Sequence, residues 1–214
     1  MAFIVKESGG GDFEPHPAGV FASRCIRVVD LGTQDEVFEG KPKKQRKVLF
    51  FFETSELMTD GELAGKPFIM NREFSVSLGE KATLRKCLES WRGRKFTPAE
   101  LDGFDITTVI GKPLMLNIIE YTKQNKKPGV KIDSLMPLPA GMPANKAVSE
   151  MFYFSLYDDS GENVKPLDEG SFKKLGKYWQ GKIQASPEYK VAIGGIAAEQ
   201  RADDMADTDE EMPF

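Results

Sequence analysis

The chain has 214 residues, of which 40% are hydrophobic and 29% are charged. These values are ordinary for a globular protein, and no apolar stretch reaches the length needed to span a membrane. With His16 as the only histidine, and Cys25 and Cys87 as the only cysteines, a metal site made of His and Cys is excluded. The net charge of −4 means that nucleic-acid binding would depend on local clusters of basic residues.

The N-terminal residues do not have the pattern of a secretory signal. The apolar run Phe3-Ile-Val5 is short and is followed by Lys6, Glu7 and a glycine run. Cys25 and Cys87 fall in different predicted elements, so we expect unpaired, buried thiols in a reducing compartment. A cytoplasmic location, in a bacterium or a phage-infected cell, follows as the expectation.

The first predicted elements are a leader and three strands. Residues 1–18, with three consecutive glycines and two prolines, are predicted to be a flexible leader. The strands are expected at 19–31, 48–53 and 68–76, where β-branched and aromatic residues are enriched. The basic residues 41–47 are interpreted as a loop between the first two strands.

A change of hydrophobic period after residue 76 predicts a helix. Apolar residues recur there at the spacing of one helical face: Leu84, Cys87, Leu88 and Trp91. Ser77-Leu-Gly-Glu80 has the spacing of an N-terminal capping box, and Gly93 suits the C-terminal end. Thr97-Pro-Ala-Glu100 predicts a second short helix with proline in its first turn.

Two more strands, at 113–121 and 130–136, complete the predicted barrel. Three strands, a helix and two strands follow one another in the order of a five-stranded OB-fold barrel, spanning about residues 19–136. The fold class is therefore mainly β with helices.

A strand at 152–157 and a helix at 171–183 are predicted after the barrel. They form an extension of about 150–195 that packs on the barrel within one domain, 19–195. Residues 196–214 are predicted to be a disordered acidic tail.

The tail ends in an unusual tip. Asp203–Phe214 contains six acids and no base, and removing these six from the 33 acids leaves 27 against 29 bases in the rest of the chain. An aromatic residue beside its own carboxylate, after Pro213, suits an apolar pocket with a basic rim. A purely solubilising tail is the alternative. The predicted partner-binding residues are Asp207, Asp209, Glu210, Glu211, Met212, Pro213 and Phe214.

Basic clusters flank aromatic residues at two predicted loops, between strands 1 and 2 and between strands 4 and 5. Proteins that bind single strands combine a basic groove with exposed rings, and these two loops border the usual binding face of an OB fold. Strand alternation puts Phe50 and Phe52 in the core and Phe51 beside Glu53 on the other face, so Phe51 is expected to stack on a base. Ordinary solvated turns are the alternative for the lysines. The predicted DNA-binding residues are Lys41, Lys43, Lys44, Arg46, Lys47, Phe51, Tyr121, Lys123, Lys126 and Lys127.

A third basic cluster, Arg92, Arg94 and Lys95, follows the predicted helix. Trp91 completes the apolar face of that helix, so we expect it in the core. The two arginines either contact phosphates or cover the end of the barrel.

Two parts of the chain resemble known families. Asp209–Phe214 resembles the acidic tip of bacterial single-stranded-DNA-binding proteins, with Met212 in place of the usual branched aliphatic. The rest of the chain does not resemble the bacterial protein and lacks its long Gly/Gln-rich linker. Leu88-Glu-Ser-Trp-Arg-Gly-Arg-Lys-Phe96 and Gly103-Phe-Asp105 resemble a group of phage-encoded proteins regarded as single-stranded-DNA-binding. The resemblance implies a non-enzymatic OB-fold protein that protects the strand and recruits replication, recombination or repair proteins through its tail.

Other functions stay open from the sequence alone. The chain lacks a phosphate loop and a Gly-x-Ser-x-Gly nucleophile elbow, and no cofactor or metal is expected. Asp102, Asp105 and Glu120 would be the carboxylates of a metal-dependent single-strand nuclease, which is one alternative. The other is an adaptor that binds proteins but no DNA. Strand annealing, homo-oligomer formation and RNA in place of DNA are compatible with the same residues.

Overall fold

A computed structural model of the chain describes residues 14–38 and 40–194. Its centre is an open antiparallel sheet with the strand order β3-β2-β1-β4-β5. A short strand, β6, pairs in parallel with the middle of β1. The strands are β1 Gly19–Phe38, β2 Lys41–Leu57, β3 Pro67–Ser75, β4 Pro113–Thr122, β5 Pro128–Met136 and β6 Phe152–Phe154. The predicted fold class, mainly β with helices, is confirmed.

Short helices connect and cover the strands. The α-helices are α1 Thr83–Arg92, α2 Pro98–Asp102, α3 Glu169–Lys173 and α4 Lys177–Gln184, and 3-10 turns lie at Gly61–Leu63 and Ile106–Val109. Residues 187–194 are also helical. Gly93 ends α1 in the left-handed conformation, and α2 begins at Pro98, as predicted. Thr97 and Glu100 also form a capping box at the start of α2.

β1 is the strand to which the others are attached. Its residues Gly19–Arg24 pair with β4, and β6 takes the place of β4 at Arg27–Val29. The register with β2 shifts between Cys25 and Arg27 and again between Asp30 and Gly32. Such bulges bend a strand and increase its twist. β1 therefore turns away from β4 and continues beside β2.

Both faces of β2 are buried from Lys47 to Thr54, because alternate side chains enter two different cores. Phe50 and Phe52 lie with Leu88 and Trp91 of α1 on one face, which confirms their predicted core positions. The opposite face is covered by the residues that follow the five strands. That second core contains Ile26, Val29, Leu31, Leu49, Phe51, Phe154, Leu156, Phe172, Leu175, Ile183 and Ala192. β2 contains an uninterrupted apolar run because both of its faces are buried there.

The structure corrects several local predictions. The basic residues 41–47 belong to β2 and are not a loop, because they pair with Gly32–Phe38 of β1. The Ser77–Glu80 capping box is wrong, since α1 begins at Thr83 with Ala82 as its N-cap. The Ser77 hydroxyl instead accepts a hydrogen bond from the Gly79 amide.

The C-terminal elements and the leader also differ from their predicted form. The predicted helix at 171–183 is two helices, α3 and α4, with Gly176 as the N-cap of the second. The strand predicted at 152–157 ends at Phe154. His16, predicted to lie in a flexible leader, is buried and hydrogen-bonded to the Thr54 hydroxyl at 2.9 Å.

Candidate nucleic-acid interface

The β1–β2 hairpin extends beyond its neighbours as a two-stranded ribbon, which we call the arm (residues 33–38 and 41–46). β3 pairs with β2 only from Lys47 onwards, and β4 pairs with β1 only up to Arg24. Gly40, with φ of 76°, lies in the turn of the hairpin. Lysines alternate with acids across the ribbon, because Lys43 is opposite Glu36 and Lys44 is opposite Asp35.

The five basic residues predicted at this hairpin have two different roles. Arg46 makes two hydrogen bonds to the Asp30 carboxylate and lies 3.7 Å from the centre of the Tyr157 ring. Lys47 is buried, with Nζ at 2.7 Å from Glu36 and 3.0 Å from the Ser75 hydroxyl. These two basic residues therefore stabilise the fold where the arm joins the sheet.

The other three lysines of the hairpin, Lys41, Lys43 and Lys44, are exposed. The Lys44 ammonium is 3.9 Å from Asp35, and both side chains are largely exposed. Ion pairs of this kind contribute little to stability. These lysines therefore give the arm a positive charge that solvent and ligands can reach.

The exposed position predicted for Phe51 is wrong. Its ring is 7% exposed and lies in the second core, with its centre 6.1 Å from that of Trp179. The Arg27 guanidinium lies 5.7 Å from the Phe51 ring centre. The predicted alternation was right, but the C-terminal extension covers the face on which Phe51 lies. The ring is therefore not accessible to a base.

The second predicted cluster forms the turn between β4 and β5. Lys123, Lys126 and Lys127 are exposed, and Lys126 adopts a left-handed conformation with φ of 63°. Tyr121 is 39% exposed, and the Lys131 ammonium lies 5.3 Å from its ring centre. This turn combines basic and aromatic groups as the sequence predicts.

The register places the two basic clusters at opposite ends of β1. Gly19 pairs with Ile118, so β4 continues past the start of β1 to reach its turn. Phe38 pairs with Lys41, so the arm ends where β1 ends. A single strand of DNA that contacted both clusters would have to cross the sheet along the direction of β1.

Helix α4 adds basic and aromatic side chains to this region. They belong to the helix predicted at 171–183, for which no role in binding was predicted. The side-chain amide of Gln34 in the arm donates to the Lys182 carbonyl oxygen at 3.0 Å. Gln34 is opposite Gln45, which shares a face of β2 with Lys43. The exposed surface of α4 is thus adjacent to the base of the arm. Lysines at positions 177 and 182 around Tyr178 are the sequence signal that could have indicated it.

Both arginines of the third basic cluster bind one acid. Arg92 and Arg94 both bond to the Glu100 carboxylate, and the Arg92 guanidinium lies 4.5 Å from the Phe96 ring centre. Hydrogen bonds from Arg94 and from the Thr97 amide hold the pKa of Glu100 well below its ordinary value. Of the two alternatives for these arginines, covering the end of the domain agrees with the geometry.

A cleft of about 820 Å³ lies between the region of α1 and α2 and the segment after β6. Its walls contain apolar residues such as Val28, Leu88 and Phe104. Its charged lining residues are five aspartates and one arginine: Asp30, Asp102, Asp105, Asp158, Asp159 and Arg46. Hydrogen bonds from Ser160 and Asn163 lower the pKa of Asp158 to about 2. An acidic cleft repels phosphate, so it is unsuited to DNA.

The carboxylates considered for a nuclease do not converge. Asp102 and Asp105 line the cleft, where Asp105 accepts hydrogen bonds from the Thr107 amide and hydroxyl. Glu120 is exposed on β4 and is absent from the lining of that cleft. Within residues 14–38 and 40–194, no group of three or more His, Cys, Asp or Glu side chains is placed to hold a metal ion.

The predicted tail site, Asp207 to Phe214, lies outside the described residues. No helix in the described part of the chain is both long and apolar enough to cross a membrane. No protein-family model and no curated protein matches the chain.

Proposed function

We propose that the protein binds single-stranded DNA without catalysis and with little sequence preference. The observation that carries this proposal is the arm, which carries exposed lysines and whose base adjoins the aromatic and basic surface of α4. A flexible DNA strand is held by contacts between lysine or arginine side chains and its phosphates, while exposed aromatic rings stack on its nucleobases. Neither kind of contact depends strongly on the base sequence, which is why we expect broad binding.

The pairing of the strands supports an OB-type barrel for this function. The strand order leaves β3 and β5 as the two edges of the sheet. The Arg72 guanidinium of β3 donates to the Asp133 carbonyl oxygen of β5 at 2.6 Å, and Ser90 of α1 donates to the Leu135 carbonyl oxygen at 2.7 Å. The first contact connects the two edges directly, and the second joins α1 to β5. A partly open five-stranded barrel is the form that OB folds take.

In this proposal the acidic tail has two roles. Its six acids compete with DNA for the basic surface, since negative charge is attracted to it. Its Met-Pro-Phe end recruits replication, recombination or repair proteins in the cytoplasm of a bacterium or a phage-infected cell. Bound protein protects the strand, and the same contacts would allow annealing.

The decisive experiment is a titration of labelled oligo-dT with the full-length protein, followed by fluorescence anisotropy at several salt concentrations. We expect log affinity to fall with log salt by about 0.7 for each phosphate contact. The same oligonucleotide is then incubated with protein and Mg²⁺ or Mn²⁺. Retention of intact DNA supports the proposal, and cleavage supports the nuclease. Absence of binding at low salt, with and without residues 203–214, would refute DNA binding.

The acidic cleft favours a second candidate function, that of a protein adaptor. An apolar cavity rimmed by aspartates suits a partner segment with apolar and basic side chains. If the protein binds no oligonucleotide, this cleft and the tail are the surfaces that an adaptor would use. Charge reversal at Asp102 and Asp159 would then abolish capture of the partner without affecting the fold, because Asp159 is exposed and Asp102 lies at the end of α2.

A further inference from the structure

We propose that the ring of Tyr178 is a base-stacking platform for single-stranded DNA, with the exposed Lys177 contacting an adjoining phosphate. This inference rests on the proposed function and specifies where the stacking occurs. It assigns to α4 the role that Phe51 cannot perform, because the extension that buries Phe51 carries Tyr178 on its outer surface.

The exposure of Tyr178 distinguishes it from the other rings. At 68% it is the most exposed aromatic side chain for which the structure describes burial. A base can stack only on a ring whose face is open to solvent. The rings of the first core and of Phe51 are therefore excluded, and three exposed tyrosines remain to be compared.

The ring is also held in place from behind. Tyr178 contacts the Trp179 indole edge-on, with ring centres 4.8 Å apart. Trp179 in turn meets the buried ring of Phe51. A ring supported in this way loses little freedom when a base stacks on it, so more of the stacking free energy contributes to binding.

Two lysines of α4 lie near the ring of Tyr178. Lys182 lies one helical turn after Tyr178, and its ammonium is 5.9 Å from the ring centre. Glu73 holds that ammonium at 2.6 Å, which fixes its position above the sheet. Lys177 is exposed next to Tyr178. A phosphate next to a stacked base would thus find the positive charge of Lys177, whereas the charge of Lys182 is shared with Glu73.

The surface is continuous with the arm. Gln34 of the arm donates to the Lys182 carbonyl oxygen, and Lys43 lies on the same face of the ribbon. A DNA strand that passes from the lysines of the arm to the α4 ring meets two acids at that junction, and both are ion-paired: Glu36 with Lys47, and Glu73 with Lys182.

The two other exposed tyrosines have different surroundings. Tyr153 is 46% exposed but lines the acidic cleft, where Asp158 and Asp159 repel phosphate. Tyr121 is less exposed and lies at the opposite end of β1 from the arm. Tyr153 is therefore a matched control, and Tyr121 provides a comparison within the predicted site.

The test uses full-length protein, oligo-dT and four variants: Tyr178→Ala, Tyr178→Phe, Tyr153→Ala and Tyr121→Ala. We expect Tyr178→Ala to weaken binding about 5- to 30-fold with an unchanged salt slope, since stacking involves no ions. Tyr178→Phe keeps the ring and should bind within about twofold of the native protein, as should Tyr153→Ala. Thermal unfolding verifies that each variant is folded.

Trp179 supplies an independent readout. The chain has two tryptophans, and Trp91 is buried in the first core. Quenching of tryptophan fluorescence on addition of oligo-dT should therefore come from Trp179 and disappear in Tyr178→Ala at saturating DNA. A Trp179→Phe protein assigns the signal.

The outcomes separate the two proposals. If the native protein binds oligo-dT but Tyr178→Ala binds equally well and retains the quenching, the α4 platform is wrong while DNA binding stands. If the native protein does not bind at all, the proposed function fails and the platform fails with it. If Tyr178→Phe loses as much affinity for oligo-dT as Tyr178→Ala, the aromatic face of the ring is not what binds the DNA.

Discussion

Asp30 and Arg46 form a two-point ion pair at the base of the arm, with Nη2 and Nε of the arginine 2.7 Å and 3.2 Å from the carboxylate oxygens. Asp30 is almost fully buried. We expect Arg46→Gln to lower the free energy of unfolding by about 2–3 kcal/mol, because the carboxylate would stay buried without its charge partner. Urea unfolding measures the change.

Lys44→Gln is the control for that prediction. Its ion pair with Asp35 is exposed and 3.9 Å long, so the loss should stay below about 0.5 kcal/mol. Equal stability of Arg46→Gln and Lys44→Gln would show that the Asp30 pair does not stabilise the arm.

Gly32 is expected to be intolerant of a side chain. Its φ is 67°, and an added Cβ would lie 2.6 Å from the buried Ser186 side chain. Gly32→Ala should therefore lower the free energy of unfolding by about 3 kcal/mol or more, since strain and a clash add together. Gly40→Ala is the comparison, because Gly40 has φ of 76° and, apart from its chain neighbours, no atom of the described residues lies within 4 Å of an added Cβ.

For Gly40→Ala we expect a loss of only about 1 kcal/mol, the cost of the left-handed conformation alone. Chemical denaturation of both variants gives the difference. Similar losses at the two positions would mean that residues 186–188 do not pack on β1 as described.

Glu188 should make the stability of the domain depend on pH. Burial raises the pKa of its carboxyl, but hydrogen bonds from the Thr33 hydroxyl and amide and from the Tyr157 hydroxyl outweigh burial and lower it below 4.5. A carboxyl whose pKa is lower in the folded state stabilises the fold above the unfolded pKa. That contribution disappears as the pH falls through the folded pKa.

We therefore expect Glu188→Gln to be less stable than the native protein by about 1.5–3 kcal/mol at pH 7, the contribution of hydrogen bonds to a charged group. The difference should shrink below about pH 4.5. Urea unfolding at pH 7, 5, 4 and 3 tests this, with Glu169→Gln as an exposed control. A difference that does not change with pH would contradict the assignment.

The exposed lysines of the arm should determine the salt dependence of DNA binding. Replacing Lys41 and Lys44 by serine removes two exposed charges. The slope of log affinity for oligo-dT against log salt should then fall by about 1.4, or about 0.7 for each lost phosphate contact. Anisotropy titrations between low and moderate salt measure the slope.

The matched control replaces Lys81 and Lys86, also exposed but near and on α1. Both double variants lose the same net charge, so only the location differs. An identical slope in the two variants would show that bulk charge, and not the arm, holds the phosphates.

Deletion of residues 203–214 should tighten binding of oligo-dT at low salt, with the difference vanishing at high salt, because screening weakens the competition between tail and DNA. A full-length variant with the six acids changed to Asn and Gln keeps the chain length and should behave like the deletion. An affinity unchanged at every salt concentration would refute autoinhibition.

The sequence alone predicted the order of the five main strands and the residues of the first core. Alternation predicted that Phe50 and Phe52 share a face, and the helical spacing of Leu84, Leu88 and Trp91 predicted the helix that packs on it. Both signals are local, since they depend on the direction in which neighbouring side chains point. The short helix that begins with proline at 98 was predicted from local sequence for the same reason.

Only the tertiary structure decided which surfaces are open. Phe51 and Tyr178 are both aromatic residues near lysines, and nothing in their neighbourhoods along the chain shows that one is covered by the extension and the other is not. Arg46 and Lys47 likewise differ from the exposed lysines because Asp30, Glu36 and Ser75 bind them. Burial arises from contacts between segments far apart in the chain, and a local pattern does not encode them.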